Sequence, residues 1–166
     1  MATNSAFDPN LFLDAQVDQP NIKRPPLPPV NPASEDGCYI AVIGEVKMDS
    51  GVIGKGDRTG QPWLSAIIPL SVEVPQQVQD QLGIKLEKGS LTLTDRAMID
   101  LTPQNTIDNS AGRNRRQRQY RDALDLNKPG DVFAWRKLTG QAVKIKIDHE
   151  LYQGEIQERV GVILKR

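Results

Sequence analysis

The chain has one cysteine and one histidine in 166 residues. A single thiol, Cys38, excludes an internal disulfide. With His149 as the sole imidazole, a zinc site built from Cys and His is left short of ligands. Charge of one sign is not in excess either, since 21 Lys and Arg stand against 21 Asp and Glu. The simplest mark of nucleic-acid binding, a basic isoelectric point, is therefore missing. Hydrophobic residues make up 38% of the chain, low for a wholly globular protein, which implies that some of its length is unpacked. No stretch approaches the ~20 apolar residues of a membrane helix. The opening MATNSAFDPNLFLDAQ has no basic region and no apolar run of signal-peptide length. The expectation is a soluble, intracellular protein in a reducing compartment.

Proline, by contrast, is concentrated. Residues 20–32 hold six of the 12 prolines, so residues 1–36 read as an extended or disordered tail in which neither helix nor inner strand survives. PPLPP suits either a plain spacer or a ligand for an aromatic-lined groove. FDPNLFLDA allows one short helical turn, with Phe7, Leu11 and Phe12 able to dock on the domain or on a partner.

From residue 37 to 166 the pattern becomes that of strands. CYIAVIGEVKM reads as one half-buried strand, DSGVIGKGDRTGQP as a long hairpin loop, and WLSAIIPLSVEV as a second strand. Pro69 places that second strand at an edge or a bulge. PQQVQDQLGI predicts a short helix with Val78 and Leu82 on one face, and LTLTDRAMIDLT a third strand. A basic insertion at 103–130 follows. AVKIKIDHEL and IQERVGVIL close the domain as a hairpin turning at Tyr152-Gln153-Gly154, with Val143, Ile145 and Ile147 inward. This is an all-β outline, an OB-like five-stranded Greek-key barrel with a helical insertion and an extended N-terminal tail.

No enzyme motif is present. GKGDRTG lacks phosphate-loop spacing and precedes a strand where a helix is required. The acids Asp95 and Asp100 read as solvated strand-edge carboxylates, and His149 as surface decoration on a polar strand face. The reading is of a protein without catalytic residues, cofactor or metal.

The conspicuous segment is GRNRRQRQYRDALDLN, residues 112–127, which carries Arg113, Arg115, Arg116, Arg118 and Arg121. It can be helical, with Asn109 or Ser110 as N-cap. Arg116, Tyr120, Ala123 and Leu124 then share an inward face, while Arg115, Arg118 and Arg121 point to solvent or a ligand. Such a run is either a solvated face balanced by acids or a phosphate-binding track. Two further clusters favour the second reading: Lys55, Arg58 and Trp63, and Trp135, Arg136 and Lys137 beside Phe133. Cations for phosphates interleaved with aromatics for bases are what a single-stranded nucleic-acid binder uses, although either tryptophan is equally well read as core.

Together, FDPNLFLDA, GCYIAVIGEVK, DRTGQPWLSAIIPL, LTLTDRAMIDLT, GRNRRQRQYRDALDLNKPGDVF and LTGQAVKIKIDHELYQGEIQERVGVIL resemble a phage-encoded OB-fold family associated with single-stranded DNA binding, over nearly the whole chain. The resemblance implies a non-catalytic protein in the cytoplasm of an infected bacterial host, coating unwound DNA in replication or recombination. It implies phosphate contacts from the five arginines, a barrel face lined by Lys47, Lys55, Arg58, Lys144 and Lys146, and stacking by Tyr39, Trp63, Trp135 and Tyr152. Preference for DNA over RNA, and self-association, stay open. The chain lacks the acidic tail with aromatic tip of bacterial single-stranded DNA-binding proteins, so replication or recombination partners would be engaged through the N-terminal tail. Two other readings stand beside this one: a virion structural or assembly protein using its arm, as in capsid decoration or a head–tail component, and an adaptor or inhibitor of a host protein.

Overall fold

The computed structural model describes residues 7–166. Six strands form one antiparallel sheet: β1 (Tyr39–Ile43), β2 (Lys47–Val52), β3 (Pro62–Glu73), β4 (Ser90–Ile99), β5 (Ala142–Tyr152) and β6 (Glu155–Leu164). Helix α1 (Gln76–Leu82) joins β3 to β4, and α2 (Arg115–Ala123) lies in the long β4–β5 connection. No helix among the described residues is long and apolar enough to cross a membrane.

β1 and β2 sit end to end along one edge of β3, with Ile43 opposite Leu70 and Lys47 opposite Ile67. The single first strand expected from CYIAVIGEVKM is thus two, broken at residues 44–46. Pro69 explains the place of the break. It pairs with Thr94 on the β4 side, so its strand is interior, not an edge. On the other side its carbonyl accepts from Gly44 N at 2.7 Å, where the break spares the ladder the amide hydrogen that proline lacks.

β3 carries β4 on its far edge, β1 continues to β5, and β5 to β6. The sheet is open: β4 and β6 run close together but share no ladder. The expected all-β class is thus observed, with six strands where five were expected and the sheet not closed into a barrel. Alternation puts Ala41, Ile68, Leu70, Leu93, Ala97, Val143, Ile145 and Ile147 in one core with Tyr39 and Tyr120. The closing hairpin turns through Gln153 (φ 50°) and Gly154 (φ 80°), the left-handed pair that a two-residue antiparallel turn requires.

The proline-rich segment is a strap laid on this body. Leu27, in the middle of PPLPP, is fully buried in the core. Full burial of a leucine contributes about 1.5–3 kcal/mol. Its amide donates to Glu158, which also pairs with Arg24, and its carbonyl accepts from His149 Nε2 at 2.7 Å. Tyr39 donates its hydroxyl to the Pro28 carbonyl at 2.9 Å. PPLPP is neither a free spacer nor an accessible ligand, and His149 is an anchor for the strap, not decoration. Further out, Pro9–Phe12 form a single 3-10 turn capped by Asp8, but Phe7, Leu11, Phe12 and Leu13 are all exposed.

Asp36 closes the strap. It accepts from Lys144 Nζ at 2.6 Å, from Ser34 Oγ and from Cys38 N, and these donors hold its carboxyl well below the ordinary value of 3.8. Because the folded value is depressed, this contribution to stability is complete above pH 3.8 and is lost as pH falls through the folded value. We expect thermal melts of Asp36→Asn to lie below wild type at neutral pH. That gap should close progressively below about pH 4.

Candidate nucleic-acid interface

The basic segment is organised from its start by Asn114, which takes the left-handed conformation at φ 50°, a region asparagine tolerates better than most residues. Its Oδ1 accepts from Asp100 N, its own amide donates to Asp100 Oδ2, and its Nδ2 donates to the Asp108 carbonyl. The residue at the N-cap of α2 is thus Asn114. It is not Asn109 or Ser110, and its side chain ties the helix to the end of β4 instead of capping the first turn.

The five arginines separate into different roles. Arg116 points inward: its Nε lies 3.2 Å from Asp95 Oδ2, and its terminal nitrogens donate to the carbonyls of Val160 and Gly161 at 2.8 and 2.9 Å. Tyr120, fully buried, donates to the same Asp95 at 2.9 Å. Burial raises the Asp95 carboxyl above its ordinary range, with Arg116 and Tyr120 opposing that rise. Asp95 is therefore a buried network acid, not a solvated edge carboxylate, and Arg116 is a structural residue. Arg113 is exposed and stands at long range, 3.7 and 3.9 Å, from Asp108 and Asp100. Arg115 and Arg118 are exposed and make no side-chain ion pair or hydrogen bond among the described residues. Arg121 donates through Nε to the Leu126 carbonyl and lies 5.4 Å above the Phe133 ring.

Arg113, Arg118 and Arg121 open onto one groove of about 790 Å³, whose far wall includes Phe133 and Trp135. Among the described residues, no carboxylate lines it. Arg113 is also part of the wall of an adjoining depression shared with Arg58, and Arg58 in turn borders a third one with Trp63, Arg96 and Met98. A line of depressions thus runs from Trp63 past Arg58 and Arg113, where Asp100 and Asp108 also form the wall, to Arg118, Arg121 and the Phe133–Trp135 wall. Trp63 is half-buried, lying so tightly over Gly51 that a β-carbon there would meet its ring at 2.8 Å.

Other expected contacts fall elsewhere. Tyr39 is fully buried and hydrogen-bonded, with burial pushing its hydroxyl up to about 12, so it cannot stack on a base. Trp135 is 8% exposed and packs edge-on against Tyr120 and Phe133. It is a core residue whose edge reaches the groove, not an open platform. Lys144 is paired with Asp36 and Lys146 is exposed on β5. Tyr152 is 55% exposed at the hairpin tip. Lys47, Lys55, Arg136 and Lys137 are exposed but border none of the three depressions.

Two lining residues escaped the sequence reading. Arg96 sits on β4, bonded to Asp49 and Ser65 Oγ, and its outward register was available from the alternation of LTLTDRAMI. Gln117, buried on α2, stands three residues before Tyr120 and so shares its face. No protein-family model matches the chain, and no curated protein is similar to it in sequence.

Proposed function

We propose that the chain is a non-catalytic binder of single-stranded nucleic acid, coating phage DNA during replication or recombination. The observation that carries this reading is the groove of Arg113, Arg118 and Arg121 facing Phe133 and Trp135, with no acid among the described residues of its wall. In a chain of zero net charge, such a segregation leaves a local site for phosphates. At the start of α2 the exposed Arg115 opposes the helix dipole, a cost that a bound anion lowers.

The fold supports the same reading. With β1 and β2 taken as one bent strand, the order fits a partly open five-stranded barrel, the OB outline. In that fold the second and third strands and the loop before them bind oligonucleotides. Here those are β3, β4 and residues 53–61, which carry Trp63, Arg96 and Arg58.

Anisotropy of a labelled oligo-dT of about thirty nucleotides tests the reading, titrated at several salt concentrations against a duplex of equal length. Single-strand binding should weaken with salt by about 0.7 log units per phosphate neutralised, with the duplex bound less tightly. Absence of binding at low salt would remove the proposal. It would favour the assembly reading, to which the exposed Phe7, Leu11, Phe12 and Leu13 of the undocked arm lend support.

A further inference from the structure

Two side-chain polar atoms are buried without a hydrogen-bond partner among the described residues: Trp135 Nε1 and Gln117 Oε1. Each residue is 8% exposed, and both line the arginine groove. Leaving such groups unpaired is costly, so two beside one groove call for an explanation. Their chemistry is complementary. An indole N–H only donates, and an amide oxygen only accepts. A molecule that satisfies both must bring an acceptor and a donor.

A phosphate offers acceptors alone, and an apolar side chain offers neither. The edge of a nucleobase offers both, a ring nitrogen or carbonyl next to an amino or imino N–H. The surroundings suit a planar ring as well. The Phe133 and Trp135 rings meet at 75° with centroids 5.3 Å apart, and the Arg121 guanidinium lies over Phe133. Arg113 and Arg118 stand on the same groove for the phosphate.

We propose that this groove seats one nucleotide with its base turned inward, its edge hydrogen-bonded to Trp135 and Gln117 and its phosphate held by Arg113 and Arg118. Neither buried atom is open to solvent, so the wall must give as the base enters. Arg121, which lies over Phe133 and donates to the Leu126 carbonyl, is the side chain that has to swing aside. This deepens the nucleic-acid reading and rests on it for the strand to which the nucleotide belongs. It adds something that a phosphate track with stacking platforms lacks, a preference among bases at one position.

The test uses the full chain labelled with ¹⁵N in its two tryptophans, with Trp63→Phe to assign the indole signals. The four deoxynucleoside monophosphates are titrated separately, with deoxyribose 5-phosphate and inorganic phosphate as controls. The expected result is a saturable shift of the Trp135 indole N–H, larger for some bases than others and absent with the controls. Gln117→Leu should weaken the preferred mononucleotide about tenfold. A Trp135 signal that ignores every mononucleotide, or answers equally to sugar phosphate, overturns the proposal, and the wild-type titration alone is enough to do so. Oligo-dT binding with a silent Trp135 would sink the base pocket and leave the strand reading intact. A base-dependent Trp135 shift without oligonucleotide binding would uphold the pocket and sink the strand reading.

Discussion

Arg116→Ala should lower the unfolding free energy by about 3–5 kcal/mol, and the melting temperature by roughly 10 °C for a chain of this size. The substitution removes the charge that faces Asp95 inside the protein and frees the carbonyls of Val160 and Gly161. What remains close to Asp95 is the Tyr120 hydroxyl and the Arg96 backbone amide, too little for a carboxylate whose burial already raises its pKa. The sign with pH follows. Protonation relieves a buried, unpaired carboxylate, so the deficit of the variant should shrink as pH is lowered. Arg115→Ala and Arg118→Ala touch nothing comparable and should stay within about 0.5 kcal/mol of wild type. Arg116→Lys keeps the charge but not the planar fork that reaches Asp95, Gln119 and the carbonyls of Val160 and Gly161, and should fall between. Urea denaturation of the four variants decides the matter. Equal stability of Arg116→Ala and Arg118→Ala would mean that the buried pair is not formed.

Binding should be ordered the other way round. Replacing Arg113, Arg118 and Arg121 together by alanine should reduce affinity for oligo-dT about a hundredfold at low salt, taking about 1 kcal/mol for each arginine–phosphate pair removed. More tellingly, the slope of log affinity against log salt should fall by about 1.4, which is 0.7 for each of two phosphates, one shared by Arg113 and Arg118 and one met by Arg121. Lys144→Ala with Lys146→Ala is the matched control. It removes positive charge from β5, where Lys144 is occupied by Asp36, and should leave the slope unchanged. If the two sets of variants altered affinity and slope alike, net charge and not the groove would govern binding.

The contrast between Arg116 and its neighbours marks where the sequence was legible. The period of α2 put Arg116, Tyr120 and Ala123 on one face, and that face is the packed one. What Arg116 meets there depends on Asp95, far away along the chain but brought beside it by β4, and no local pattern carries that. β5 and β6 were clear because alternation and a two-residue turn agree. The split of the first strand was partly foreshadowed by Pro69, yet the break fell in its neighbour, at Gly44. Tyr39 and Trp135 misled for a shared reason. An aromatic at a strand start or in a short turn suits a binding face and a core equally, and only tertiary burial separates the two. Leu27 was hidden differently, since extended proline-rich chain has no internal bonds and its docking leaves no period to read.

The open seam between β4 and β6 gives the molecule something like a bracelet with one clasp. Around the rest of the band, neighbouring strands are joined by repeated backbone bonds. Across the seam, Arg116 reaches from Asp95 on β4 to the Val160 and Gly161 carbonyls on β6. A clasp of this kind can be undone without tearing the band. The same helix turn that fastens it also presents Arg118 to the groove. Along that line the two free edges of the sheet are held by side chains in place of a backbone ladder.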